Sequence, residues 1–301
     1  MISAARRQNA IRMDRSEKTV KLLSYCLLIL ALVVTLFPML NLVAKSISGQ
    51  RYVAAGKITI IPHDISFGAY RYVLTASRFW LAMKNTLFVT IMGTLISVAV
   101  CTLAGYALSK QRLPGRRWLM LMFMFAMLFS GGMIPTYLLI KELGLLNSLW
   151  SMILPGAFST YNMLLLKNYF EGLPAEIEES AHIDGANYVQ IFLRIALPLA
   201  TPVLATITLF CIVSGWNAYF SAKLYITKQE LLTLQAYLAG IIFESADPTG
   251  SFQLSANNAS GLAKQSVVDA TVVCTMLPVV VFYSFLQRFL VSGMVLGSVK
   301  G

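Results

Sequence analysis

Six apolar runs, each about as long as a membrane-crossing helix, dominate this chain of 301 residues. A helix that crosses the hydrocarbon core of a bilayer needs about 20 predominantly apolar residues. Because backbone groups in lipid must hydrogen-bond within the protein, runs of this length are expected to form helices. The sequence therefore predicts an all-α, polytopic membrane protein with six transmembrane helices. The six runs are residues 22–43, 85–108, 118–140, 149–166, 199–220 and 267–286.

The composition excludes a soluble domain, since 57% of the residues are hydrophobic and only 12% are charged. Soluble domains carry about 25% charged residues. The net charge of +11 is spread over tails and loops, so it indicates topology and contact with anionic lipid rather than nucleic-acid binding. The cysteines lie inside apolar runs without metal-ligand spacing, and we predict small buried side chains and no metal site. They are Cys26, Cys101, Cys211 and Cys274.

The distribution of basic residues predicts the orientation in the membrane, because cytoplasmic loops are enriched in Lys and Arg. Six basic residues precede the first run, and four lie in the short connection 109–117. Both segments are expected in the cytoplasm, and with six spans the C-terminus lies there too. This gives cytoplasmic tails at 1–21 and 291–301 around a transmembrane domain at 22–290. A signal peptide is the alternative interpretation of the first run, but the run exceeds the usual ~7–15 apolar residues.

The connection 167–198 is unusually acidic and is expected in the cytoplasm. Pro174 suits a helix start, and Asp184-Gly185 is a turn signal, which together predict one short acidic helix. A second, amphipathic helix follows, with an apolar face at i, i+3, i+4 and i+7. The connection is either a solvated linker on the membrane surface or a docking element for a soluble partner. The acidic charge favours docking, since the cytoplasmic leaflet is negative. The apolar face consists of Tyr188, Ile191, Phe192 and Ile195.

At this connection the sequence resembles the permease subunits of ATP-binding-cassette (ABC) importers. Their cytoplasmic loop has the pattern Glu-Ala-Ala, three residues, Gly, nine residues, Ile-x-Leu-Pro. Here residues 179–181 read Glu-Ser-Ala, Gly185 follows after three residues, and residues 195–198 read Ile-Ala-Leu-Pro. Every spacing matches, and Ser180 in place of the middle Ala is the one departure. The resemblance implies ATPase-coupling roles for Glu178, Glu179, Ser180, Ala181, Asp184, Gly185, Ala186, Ile195, Leu197 and Pro198.

The resemblance covers essentially the whole chain after the N-terminal tail and is most marked for the carbohydrate-uptake branch of the family. The residues that carry the resemblance to this branch are 130–137, 144–148, 216–217 and the C-terminal Gly293, Gly297, Lys300 and Gly301. Within that branch, the chain looks most like permeases for polysaccharide-derived oligosaccharides. The resemblance implies a bacterial inner-membrane subunit that works with a second, non-identical permease, two ATPase subunits and an external binding protein. It also implies that ATP and Mg²⁺ are bound by the ATPase, and the chain has no phosphate-binding loop of its own.

A sugar pathway needs aromatic platforms with amide or hydroxyl partners, and several such residues lie in or near the runs. Trp, Tyr and Asn also occur at membrane interfaces and between helices for structural reasons, so each assignment has a structural alternative. Basic residues in the outer connection 44–84 would suit an acidic oligosaccharide such as an alginate or pectin fragment. The candidate pathway residues are Tyr161, Asn162, Trp216, Asn217 and Tyr219.

Two other classes of protein remain as alternatives. An ion-coupled secondary transporter needs buried carboxylates, and the runs contain only Asp269, which we expect at a partly solvated outer end. A membrane enzyme needs convergent catalytic groups, and the two distant histidines do not provide them. An ABC permease for a solute other than sugar is the third alternative.

Overall fold

The computed structural model describes residues 15–129, 131–246 and 264–298, and the regular secondary structure of these ranges is helical, as predicted. Short 3₁₀ turns occupy Leu154–Gly156 and Gln229–Leu231, and a π-helical turn occupies Phe192–Ala196. The helices are α1 (Arg15–Ser46), α2 (Gln50–Ala54), α3 (Gly68–Thr75), α4 (Ser77–Ser109), α5 (Arg116–Leu128), α6 (Met133–Glu142), α7 (Trp150–Ile153), α8 (Thr160–Glu171), α9 (Ala175–Ile183), α10 (Tyr188–Ile191), α11 (Leu197–Leu199), α12 (Thr201–Trp216), α13 (Tyr219–Tyr225), α14 (Leu234–Ala246) and α15 (Lys264–Ser298).

Three helices in the described part of the chain are long and apolar enough to cross a membrane unbroken, namely α1, α4 and α15. They correspond to the first, second and sixth apolar runs. Two further crossings are possible if each bent pair of helices counts as one span. In the pair α5 and α6 the axes differ by 109°, and between Tyr188–Leu199 and α12 they differ by 77°.

The fourth run forms no continuous helix, because α7 ends at Ile153 and α8 begins only at Thr160. Pro155 lies in the 3₁₀ turn between them, where its missing N–H prevents an α-helical hydrogen bond. In the third run the break comes before Pro135, at Gly132, which has a φ of +86°. Apolar character thus extends across backbone breaks that the length of a run does not reveal.

The chain divides into two compact units, and the first comprises Met1–Ala69 with Gly261–Ala270. In its described part, the loop after α2 is attached to α1, since Asn41 Nδ2 donates to the carbonyl of Ile58 at 3.1 Å. Gly49, directly before α2, donates its N–H to the carbonyl of His63 in that loop at 2.9 Å. The partly solvated position expected for Asp269 is wrong. Its side chain is buried among residues 266–270 and accepts a hydrogen bond from Gln265 Nε2 at 2.9 Å.

The second unit comprises Tyr70–Ser260 with Thr271–Gly301, and in its described part α4 packs against α8, α12 and α14. Two glycines permit close approach. A Cβ atom on Gly105 would lie 2.9 Å from Leu166 Cβ of α8, and one on Gly215 of α12 would lie 3.2 Å from Thr90 Cα. The connection before α14 is attached to α4 through Asn85 Nδ2, which donates to the carbonyls of Glu230 and Leu232 at 2.8 and 3.0 Å. The helix α4 is therefore the centre of this unit.

Candidate functional site

The residues of the acidic connection form a hairpin, defined here as residues 175–199. The helix α9 begins directly after Pro174 and carries Glu176 and Glu178 in its first turn, where the helix dipole favours negative charge. It ends at Ile183. The helical stretch from α10 through the π-helical turn to α11 follows and runs from residue 188 to residue 199. Two helical arms joined by a short turn result.

The turn of the hairpin depends on Gly185, whose φ of +84° lies in the left-handed region. The Gly185 N–H donates to the carbonyl of His182 at 3.0 Å, and the Ala186 N–H donates to that of Ala181 at 2.9 Å. These bonds satisfy the last carbonyls of α9, as a left-handed glycine at a helix C-terminus commonly does. The second arm starts with a capping box, in which Asn187 and Gln190 exchange two hydrogen bonds of 2.9 Å.

Large apolar side chains around this turn face solvent. Ile183 is 86% exposed, Tyr188 60% and Val189 65%. We call these three residues the apolar tip. The carboxylates of Glu179 and Asp184 are exposed next to it. Apolar anchors with an acidic margin, carried on a rigid helical turn, are suited to insertion into a groove of a soluble partner.

The predicted coupling residues fall into two groups. Residues 178–186 lie in α9 and the turn, with Ala181 buried, Glu178 and Ala186 half-buried, and the others exposed. Ile195, Leu197 and Pro198 lie on the second arm, about 10–15 Å from its start at the helical rise of 1.5 Å per residue. Ile195 and Leu197 are half-buried. The neighbouring Ala196 belongs to the hydrophobic core with α4 and α8, so this second group attaches the hairpin to the helices.

Of the predicted apolar face of the second arm, Ile191 is fully buried, while Phe192 and Ile195 are half-buried. Tyr188 is exposed instead, because it directly follows the capping residue Asn187 at the turn. Its ring lies against His182, with ring centroids 4.8 Å apart.

The base of the hairpin is held by charged contacts from Lys110, which follows α4, from Arg116 at the start of α5 and from Lys167 in α8. Lys110 Nζ forms an ion pair with Glu178 Oε1, and the Arg116 guanidinium forms one with Glu171 Oε1. Lys167 Nζ contacts the other carboxylate oxygen of Glu171 at 2.7 Å. The acidic residues of the connection therefore do not all face a partner, because two of them are paired within the chain.

A cavity of about 550 Å³ lies beside α4 and is lined by α4, the segment from α7 to α8, α12 and α13. Its lining residues provide hydroxyl, amide and aromatic groups and no charged side chain. The hydroxyls of Thr90 and Thr94 are buried here without a hydrogen-bond partner in the described part of the chain. The volume falls in the range of small-molecule sites, about 300–1,000 Å³.

The structure places two of the five predicted pathway residues in this cavity. Tyr161 is 53% exposed and Asn162 is 7% exposed, and both contribute to the lining. Trp216 is buried in the core, and its indole N–H donates to the carbonyl of Thr275 at 3.2 Å. Asn217 donates to the carbonyl of Val213 at 2.9 Å. Neither Asn217 nor the half-buried Tyr219 belongs to the described cavity lining.

Some residues of the site were missed by sequence reasoning. The apolar tip was detectable in part, since Ile183 directly precedes the Asp-Gly turn signal. The lining hydroxyls Thr90, Thr94 and Ser97 were not, because inside an apolar run they look like ordinary small residues of a helix interface.

Comparison with known proteins gives three findings. The model of the family described as "Binding-protein-dependent transport system inner membrane component" matches residues 102–295. The chain is 38% identical to the polygalacturonan/rhamnogalacturonan transport system permease protein YtcP of Bacillus subtilis (strain 168), over 93% of this chain and 98% of that protein. It is similar to one chain of the crystal structure of a bacterial ABC transporter involved in the import of the acidic polysaccharide alginate. That match has a TM-score of 0.83 and 36% identity and covers 92% of this chain and 98% of the other.

Proposed function

The chain belongs to the family of binding-protein-dependent transport system inner membrane components, and we propose that it is the permease subunit of an ATP-driven oligosaccharide importer. The hairpin is the observation that carries this proposal, because its exposed apolar tip offers a soluble ATPase a surface to bind. Its position in the sequence coincides with the loop pattern at residues 179–198. In this proposal the chain hydrolyses nothing itself, and ATP and Mg²⁺ are bound by the ATPase.

We propose six membrane crossings in a bacterial inner membrane, with both termini and the hairpin in the cytoplasm. The unbroken helices supply three crossings, and the bent pair of α5 and α6 supplies a fourth. The helix α12, which follows the hairpin, supplies a fifth. The segment from α7 to α8, broken at Pro155, supplies the sixth. Lys110, Arg112, Arg116 and Arg117 support the orientation, since they would lie on the cytoplasmic side next to the hairpin. Of the proposed tails at 1–21 and 291–301, residues 1–14 and 299–301 lie outside the described residues, and residues 291–298 continue α15.

The proposed assembly contains a second, non-identical permease subunit, two ATPase subunits and an external binding protein. In this arrangement the apolar tip enters a cleft of the ATPase, and movement of the cleft moves the hairpin. Helix-in-groove docking of this kind combines apolar anchors with charged margins, which here are Glu179 and Asp184.

The proposed substrates are acidic oligosaccharides, such as fragments of pectin or alginate. Two observations support this class: the substrates named for the similar permease and transporter, and the exposed basic side chains of Lys57, Arg71 and Arg78 in the outer connection. The cavity beside α4 has uncharged hydrogen-bonding groups and aromatic rings, which suit sugar hydroxyls and ring faces.

Purification of the chain with its genomic partners and reconstitution into proteoliposomes test the proposal. We expect an ATPase subunit to co-purify and oligogalacturonate or oligoalginate uptake to require ATP and a binding protein. Uptake driven by an ion gradient without the ATPase would contradict the proposal and favour a secondary transporter. ATP-driven uptake of a solute that is not a sugar would support the importer part of the proposal and contradict the proposed class of substrate.

Replacement of Tyr161 by alanine tests the cavity. Loss of one aromatic platform costs about 1 kcal/mol, so we expect the KM for uptake to rise about fivefold with ATPase association unchanged. Tyr219→Ala is the matched control, because Tyr219 lies outside the described lining. Equal effects of the two substitutions, or none from Tyr161→Ala, would show that the cavity is not part of the pathway.

A further inference from the structure

The hairpin is joined by several side-chain contacts to α4, the helix that lines the cavity, and the role given to these contacts below rests on the proposed function. Lys110 follows directly after α4, which ends at Ser109. Its ammonium group forms the ion pair with Glu178 of α9 and also lies 4.2 Å from the ring centroid of Tyr106 of α4. The two charged side chains are only 25% and 23% exposed. Lys110 thus connects the end of α4 directly to the first turn of α9.

Arg116 makes a second connection. Its Nε donates to the carbonyl of Leu108 at 2.8 Å, which satisfies a carbonyl in the last turn of α4. The other side of its guanidinium forms the ion pair with Glu171, the last residue of α8, from which the hairpin departs. Each cation therefore contacts α4 on one side and the hairpin or its root on the other.

Aromatic packing stiffens this region. Tyr106 contacts Phe170 of α8 edge to face at 5.4 Å and contacts Phe192 of the second arm at 4.8 Å between ring centroids. At Gly105 the helices α4 and α8 approach so closely that a Cβ would meet the carbonyl oxygen of Met163 at 3.0 Å. Relative sliding of α4, α8 and the second arm is therefore hindered.

The same helix, α4, lines the cavity further along with Thr90, Thr94 and Ser97. From Ser97 to Lys110 the distance along a helix is about 20 Å at 1.5 Å per residue. The helix α4 therefore lines the cavity along one stretch and contacts the hairpin at its C-terminal end. A rigid helix placed in this way can transmit a movement of the hairpin to the cavity.

We propose that the pairs Lys110–Glu178 and Arg116–Glu171 form a strut that transmits movement of α9 to α4 and so to the cavity wall. Lys110 and Arg116 are positioning residues in this proposal and contact neither substrate nor ATPase. The aromatic rings and the close contact at Gly105 hold α4, α8 and the second arm together without these pairs. Removal of the pairs should therefore leave the fold and ATPase docking intact and loosen only the transmission.

The test uses the complete transporter in proteoliposomes and compares K110E, E178K and the charge-swapped double variant K110E/E178K. The readouts are the amount of co-purified ATPase, ATP hydrolysis stimulated by loaded binding protein, and oligogalacturonate uptake. We expect each single variant to retain the ATPase but to transport about fivefold less substrate per ATP hydrolysed, at the lower end of coupling effects between sites. The double variant should return to within about twofold of the unaltered transporter, because the opposite charges face each other again.

Arg112→Glu is the matched control, since this exposed cation lies in the same connection and forms no ion pair within the described ranges. It should leave the ratio of transport to hydrolysis unchanged. An unchanged ratio in K110E, or a double variant as impaired as the single ones, would overturn the strut. Loss of the ATPase from K110E would also overturn it, because the pair would then serve docking.

Should K110E fail to accumulate in the membrane, E178Q removes one charge with almost no change of shape and gives the same readouts.

The unaltered transporter distinguishes failure of the proposed function from failure of the strut. If it takes up no sugar with ATP, the proposed function fails. If it does and the variants behave like it, only the strut fails.

Discussion

Replacement of Gly185 by valine is expected to abolish ATP-driven uptake while leaving the chain inserted in the membrane. Gly185 has a φ of +84°, and for a β-branched residue a positive φ is a strained outlier. The cost of such strain is about 1–3 kcal/mol, which is enough to shift the turn to another conformation in most molecules. Apart from the two chain neighbours, the described residues place no atom within 4 Å of a Cβ built at this position, so the effect comes from the backbone and not from a clash.

The lost turn would displace the apolar tip, since Ile183 precedes the turn and Tyr188 and Val189 follow it. The amount of ATPase that co-purifies and its hydrolysis rate measure this directly. Gly185→Asn should retain more association than Gly185→Val, because asparagine tolerates the left-handed region. Gly56→Val is a control for strain alone, since Gly56 also has a positive φ, +65°, but lies in the loop after α2. Normal uptake by Gly185→Val would refute a coupling role for the turn.

The bounds of α9 could be predicted from the sequence because their causes are local. Pro174 favours a helix start, and Gly185 allows the chain to leave the helix with a left-handed residue. The positions of these two residues in the sequence therefore give both ends of α9. The same holds for the break at Pro155, where a missing N–H interrupts a run of apolar residues.

The number of unbroken helices could not be predicted from apolar length alone. Hydrophobicity reports the solvent around a segment and not the path of its backbone, so the bends after α5 and before α12 are invisible to it. In the first case Gly131-Gly132 was a local signal, because paired glycines favour departures from a helix. Averaging over a run of about 20 residues conceals such a signal.

Long-range contacts are the part of the structure that spacing along the chain does not provide. Glu178 was predicted to serve ATPase coupling, and it also pairs with Lys110, 68 residues earlier in the chain. Trp216 was a candidate pathway residue, and its buried indole bonds to Thr275, 59 residues later. A single sequence specifies the chemistry of these groups and not which of several partners lies opposite them.

Replacement of Gly105 by leucine is expected to have the largest effect on the fold itself. A Cβ on Gly105 would lie 2.9 Å from Leu166 Cβ, 3.0 Å from the Met163 carbonyl oxygen and 3.1 Å from the Lys167 backbone nitrogen. Two of these atoms are backbone, so α8 cannot yield by a change of rotamer. Overpacking by even a small side chain costs about 1–3 kcal/mol, and a leucine adds several more atoms to the same gap.

Three glycine-to-alanine substitutions, two at close contacts of α4 and one away from them, test whether close helix approach stabilises this unit. Gly105→Ala meets two backbone atoms at 3.0 and 3.1 Å, and Gly215→Ala meets Thr90 Cα at 3.2 Å. Outside its own helix backbone and chain neighbours, Gly93→Ala meets no atom of the described residues within 4 Å. The thermal midpoint of the detergent-solubilised protein should therefore fall most for Gly105, less for Gly215 and not at all for Gly93. Gly105→Leu should fail to accumulate in the membrane.

The reason for this order is that glycine lets two helices approach until their backbones touch, and only a contact of that kind is destroyed by one methyl group. Gly93 is the matched control, because it lies on the same helix and an alanine there has the same intrinsic helix propensity as at Gly105. If Gly93→Ala and Gly105→Ala lowered the thermal midpoint equally, the close contact of α4 with α8 would not be what holds this unit together. The attachment of the hairpin to α4 would then have to depend on the ion pairs and aromatic rings alone.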